Sequence, residues 1–258
     1  MPSEQMTAQR FVVLSSARSG SNMLRSLLEE HPDVACSGEM FNPANGDGYV
    51  KWARKSAVRR LQNRYLRNHC VEAYLDNLFA KAYLQGAPKA IGFKVMYPGQ
   101  FNRCSIFPYY WQEHGFKIVR LTRHNLLRRY VSSKIANLED VWATREHRGT
   151  RVTLKVEIDD LLARLSRMEV INQRINSLVN EFDHIMVDYE RLVADKGAVM
   201  QAVFGFLGVG GGDRSHDVQA KTVRQNPDRL SDLIENYDEV CTALQATPWR
   251  RFIEEQTS

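Results

Sequence analysis

Short apolar blocks alternate along the chain with longer segments whose apolar positions recur every three or four residues. Phe11-Val12-Val13-Leu14, bounded by polar residues, predicts a buried parallel strand over Arg10–Ser15. Met23, Leu24, Leu27 and Leu28 form the stripe of a helix over about Ser21–Glu30. His31-Pro32-Asp33 ends it, because proline cannot continue a helix and restricts the residue before it. Val34-Ala35-Cys36 reads as a short second strand, Ala90–Val95 as a third, Phe116–Leu121 as a fourth and His184–Val187 as a fifth. Between them lie helical patterns over Tyr49–Gln85, Pro108–His114, Asn125–Leu138, Ile158–Phe182 and Asp195–Leu207. After a glycine-rich turn at Gly210-Gly211-Gly212, a last helix is expected over Arg229–Leu244. Alternating strands and helices imply an α/β fold: a doubly wound parallel sheet of about five strands flanked by helices. Neither an internal repeat nor a low-complexity linker divides the chain, so residues 1–258 read as a single domain.

In such sheets ligands sit at the carboxyl ends of the strands. That rule selects the loops after Ser15, Cys36 and Leu121. The first, Ser15-Ser16-Ala17-Arg18-Ser19-Gly20-Ser21-Asn22, joins a strand to a helix N-terminus whose unpaired N–H groups suit a phosphate. Arg18 adds a fork-shaped permanent charge, and Ser19, Ser21 and Asn22 add side-chain donors. It is not a Walker A sequence, which requires GxxxxGK and a Ser or Thr. On its own it reads equally as a plain turn with a capping serine. The third loop opens Arg120-Leu121-Thr122-Arg123-His124-Asn125-Leu126-Leu127-Arg128-Arg129-Tyr130-Val131-Ser132-Ser133-Lys134. There Arg128 and Ser132, four apart, share a helix face. A solvated basic face is the ordinary reading of such a run.

Composition adds a little. A formal charge of +5 suits an anionic ligand and also raises a nucleic-acid-binding module. Against the module, the basic residues gather at strand ends and in one insert, and no aromatic stacking motif accompanies them. No run approaches the length of a membrane span, and Met1–Arg10 lacks a secretory apolar core, so a cytoplasmic protein is expected. Cys36, Cys70, Cys104 and Cys241 form no CxxC pair, and the seven histidines form no HxH or HxxxH pair, so a metal centre is not expected.

Taken together, the two basic strand–loop–helix elements resemble those of the sulfotransferases that use 3′-phosphoadenosine 5′-phosphosulfate (PAPS). The wording Ser-Ala-Arg-Ser-Gly-Ser-Asn and Arg-His-Asn-Leu-Leu-Arg-Arg-Tyr-Val-Ser is most similar to the bacterial carbohydrate branch, which holds the Nod-factor (NodH-type) and trehalose sulfotransferases. Gly38-Glu39-Met40-Phe41-Asn42-Pro43 resembles that branch's Gly-Glu-x-Phe element. Tyr189-Glu190-Arg191-Leu192 with Phe206-Leu207-Gly208 resembles its Tyr-Glu-x-Leu and Phe-Leu-Gly pair, and Lys221–Pro227 with Leu233–Tyr237 its closing tail. The likeness runs over about residues 10–245. Two departures stand out. Arg18 occupies a position where many cytosolic relatives have lysine. The usual Arg-to-Ser spacing at the 3′-phosphate is eight, whereas Arg123 to Ser132 is nine.

The resemblance implies a P-loop-like fold with a helical insert at about 44–85 and a C-terminal lid or tail at about 210–245. It implies that Arg18, Ser19, Gly20, Ser21 and Asn22 bind the 5′-phosphosulfate end and that Arg123 and Ser132, with Ser133 in reserve, bind the 3′-phosphate. Lys221, Thr222 and Arg224 would cover the nucleotide. Glu39 would be the general base and Arg18 would stabilise charge on the leaving group. No metal is required, because sulfur in the donor carries less charge than a nucleotide γ-phosphate. The acceptor would be a hydroxyl of a carbohydrate, glycolipid or other small or lipid-linked molecule. Peripheral membrane contact and a homodimer stay open, as does a P-loop-type small-molecule kinase, which shares the strand–loop–helix start.

Overall fold

The computed structural model describes residues 8–42, 65–84, 86–139, 152–210 and 229–254. Five parallel strands form one sheet in the order β2-β3-β1-β4-β5. They are β1 (Gln9–Ser15), β2 (Val34–Glu39), β3 (Ala90–Met96), β4 (Lys117–Thr122) and β5 (His184–Asp188). The chain passes from β1 outward to β2, returns to β3, and then crosses to the other side of β1 for β4 and β5. That reversal puts the topological switch point between β1 and β4, where open α/β sheets bind their ligands.

Side chains of β1 alternate between two cores. Val12 and Leu14 join Phe93, Phe107, Trp111 and Ile118 beneath α2 (Val71–Leu84) and α3 (Phe107–Glu113). Phe11 and Val13 join Leu24 and Leu27 of α1 (Ser21–Leu28) on the opposite face. Burial on both faces explains why β1 is an unbroken apolar run and not an alternating one. A third core lies between α4 (Leu126–Glu139), α5 (Ile158–Val179) and the C-terminal segment.

The elements read from the sequence agree with this frame, with four differences. β2 runs to Glu39, so Glu39 ends the strand instead of following it. Residues 65–69 are helical and stop at Cys70 before α2; the rest of the insert to residue 64 lies outside the described residues. A short helix, α6 (Tyr189–Ala194), follows β5 directly and is capped by Asp188, whose side chain accepts from Arg191 N; a capped helix then follows as α7 (Lys196–Leu207). The expected helix over Arg229–Leu244 is two, α8 (Leu230–Leu233) and α9 (Tyr237–Gln245). Between them Ile234 turns extended and forms a parallel bridge with Leu154, while Asn236 bonds both backbone groups of Val156. The chain ends its described part in α10 (Arg251–Glu254).

Candidate active site

The loop after β1 turns on two residues in the left-handed region. Arg18 has φ 62° and Gly20 φ 89°. Gly20 is required twice over: its backbone disfavours a side chain, and a Cβ there would lie 2.3 Å from Cδ2 of Tyr189. Gly20→Ala is therefore expected to destabilise the protein by about 2–4 kcal/mol, read as a lowered urea midpoint, from the combined left-handed strain and overpacking. An unchanged midpoint would mean that Tyr189 moves aside without cost.

The two basic elements meet. Arg18 Nε donates to Ser132 Oγ at 3.0 Å, across 114 residues of chain, and Arg123 Nη1 donates to the Arg18 carbonyl at 3.3 Å. Arg123 also stacks on the Tyr189 ring, with its Cζ 4.6 Å from the centroid. Burial holds the Arg18 guanidinium below its ordinary pKa, with the Tyr189 hydroxyl opposing the effect. Ser16 Oγ and Thr122 Oγ1, buried at the ends of β1 and β4, have no hydrogen-bond partner among the described residues.

Glu39 reaches the same mouth through a bulge. Ser37 pairs with Phe93 and Glu39 with Lys94, so Gly38 is the extra residue that re-aims the carboxylate. Glu39 Oε1 lies 3.4 Å from Lys94 Nζ, and Oε2 accepts from Gln100 Nε2 at 2.8 Å and Asn42 Nδ2 at 2.9 Å. Lys94 Nζ donates in turn to Asn22 Oδ1 at 2.5 Å, which ties the carboxylate to the first turn of α1. The Lys94 side chain is 2% exposed, and burial lowers its pKa while Glu39 raises it.

The structure thus brings Arg18, Ser19, Gly20, Ser21 and Asn22 together with Arg123, Ser132 and Glu39. Lys221, Thr222 and Arg224 lie outside the described residues. Arg129 lies buried beside the loop, with Nε 3.4 Å from the Ala17 carbonyl. Tyr189 and Glu190 knit the site together. Glu190 accepts from the N–H groups of His124 and Asn125, and His124 pairs with Asp188. Asn125 caps α4 by accepting from Arg128 N. No cluster of His, Cys, Asp and Glu among the described residues has the grouping of a metal site.

Sequence reasoning passed over Lys94, Arg120 and Arg129. The signal was present for the first two, since each is a cation flanked by apolar residues in the middle of a strand. Arg120 is wholly buried, bonds the Leu121 carbonyl and Asn172, and has its pKa pushed down to about 9 by burial and by Arg129.

A parallel sheet whose switch point carries a glycine-bearing loop, a helix N-terminus and converging arginines is a P-loop-like fold. The chain matches the profile of a sulfotransferase family over residues 10–96. It is 24% identical to nodulation protein H of Rhizobium tropici over 246 residues, covering 95% of this chain and 92% of that one. With nodulation protein H of Rhizobium meliloti strain 1021 it shares 23% identity over 273 residues, covering 98% of each. In fold it is similar to a sulfotransferase from Alicyclobacillus acidocaldarius, with a TM-score of 0.50, 16% identity and coverage of 96% of this chain and 95% of that one. The family profile, the relatives and the fold together support a sulfotransferase enzyme.

Proposed function

We propose that the protein transfers the sulfuryl group of PAPS to a hydroxyl of a carbohydrate, glycolipid or similar small acceptor. One observation carries the reading: Arg18 and Arg123, 105 residues apart, meet through the Arg18 carbonyl, and Arg18 reaches Ser132 on the far element. Two cationic sites that touch suit a ligand with an anionic group at each end. The resemblance of the sequence motifs to the bacterial carbohydrate branch favours a carbohydrate acceptor.

In this reading the loop and α1 receive the 5′-phosphosulfate, and Arg123 with Ser132 receives the 3′-phosphate. The acceptor hydroxyl gives its proton to Glu39 as its oxygen bonds to sulfur. The bond from sulfur to the bridging oxygen breaks in line, and adenosine 3′,5′-bisphosphate leaves. Arg18 and the N–H groups of α1 offset the charge that grows on that bridging oxygen. Lys94 keeps Glu39 and the first turn of α1 at fixed separation, because it contacts both.

Thermal unfolding tests the donor. Adenosine 3′,5′-bisphosphate at 100 times its Kd should stabilise the protein by about 2.7 kcal/mol, while ATP with Mg²⁺ leaves the midpoint unchanged. Stabilisation by ATP with Mg²⁺ and not by the bisphosphate would instead make the protein a kinase.

A further inference from the structure

Arg129 has no part in the reading above, yet its position is unusual. It is 4% exposed in a helix whose neighbouring inward positions, Leu126, Leu127, Tyr130 and Val131, are apolar or aromatic. Burying a guanidinium is costly, and an apolar side chain would fill the space at no such cost. Arg129 Nε donates to the carbonyl of Ala17 at 3.4 Å, and the Glu190 carboxylate favours its charge. The next carbonyl, of Arg18, is reached by Arg123 at 3.3 Å. Both contacts are long for hydrogen bonds, so their force is chiefly that of a charge on a carbonyl dipole.

Across a planar trans peptide the C=O and the following N–H point in opposite directions. Holding the carbonyls of Ala17 and Arg18 toward the β4–α4 junction therefore turns the N–H groups of Arg18 and Ser19 together toward the loop's other side. With Arg18 at φ 62° and Gly20 at φ 89°, the loop has the left-handed residues from which backbone anion nests are built. A peptide flip at either carbonyl would replace an inward N–H by an oxygen and repel an anion.

We infer that Arg129 is a positioning residue for the phosphate loop: through the Ala17 carbonyl it fixes the direction of the loop's N–H groups. The inference rests on the proposed donor site, and its test separates the two. Amide exchange at Arg18 and Ser19 in the unliganded protein needs no ligand. In Arg129→Met that exchange should rise about tenfold, and affinity for adenosine 3′,5′-bisphosphate should fall about tenfold, which equals ~1.4 kcal/mol. Arg129→Lys keeps the charge but not the Nε donor, and should lie between, with at least about a threefold change in each. If Arg129→Met does not fold, Arg129→Lys decides alone. Wild-type values for both readouts overturn the inference, as does faster loop exchange with wild-type affinity. A rise in exchange spread evenly over the sheet with unchanged affinity overturns it too, for it marks a merely structural residue. If the wild-type protein fails to bind the bisphosphate, inorganic pyrophosphate replaces it as the probe. The donor reading then falls, and the exchange data with the pyrophosphate affinities decide Arg129's role by the same criteria.

Discussion

Glu39→Gln is expected to slow sulfuryl transfer about 10²–10⁴-fold, the range over which a positioned general base contributes. Affinity for adenosine 3′,5′-bisphosphate should stay within about twofold, since the carboxylate is tied to the loop after β1 through Lys94 and Asn22. Glutamine preserves the shape of the side chain and an oxygen that accepts from Gln100 and Asn42. It removes the proton acceptor and the charge facing Lys94. Transfer of ³⁵S from labelled PAPS into an acceptor extract, measured beside bisphosphate binding, separates the two effects. Turnover at the wild-type rate would remove Glu39 as the base.

The second large effect concerns Arg18. Arg18→Ala should weaken bisphosphate binding on the order of 10²-fold or more, by loss of a partly buried charge and of the link to Ser132. The substitution is clean for a backbone reason. Arg18 already sits at φ 62°, which alanine dislikes as much as arginine does, so the loop's conformational preference is nearly unchanged. Isothermal titration at two salt concentrations provides the check, because loss of a contacting charge also flattens the salt dependence. Equal affinity in the variant would mean that Arg18 serves only to hold Ser132.

Much of this molecule was legible before any coordinates. Unbroken apolar runs such as Phe11–Leu14 and Ile118–Val119 announce strands covered on both faces, and the loop after β1 advertises itself by its small residues and Arg18. Strand order was not legible, because parallel strands pair across long connections whose lengths say nothing of position. The partners of Glu39 were hidden for the same reason: Lys94 and Gln100 come from β3 and the turn after it, and only the sheet sets them beside β2. Arg129 was obscured by its neighbours, since a run of two arginines followed by Tyr130 does not say which guanidinium turns inward. The division of the last helical pattern escaped because Ile234 and Asn236 suit a helix locally and are drawn out by a distant partner, the strand-like stretch at Leu154–Val156.

That last pairing reaches farther than its size. The third core seats Leu230, Leu233, Val240, Leu244 and Phe252 against the helix that bears Arg129 and Ser132. The Phe252 carbonyl also accepts from Asn125, the residue that starts this helix. The closing stretch of polypeptide is in effect the keel beneath one half of the proposed donor site. Damage at residue 252, far along the thread from Arg18, Arg123 and Ser132, would first be noticed as a slackened hold on the proposed donor.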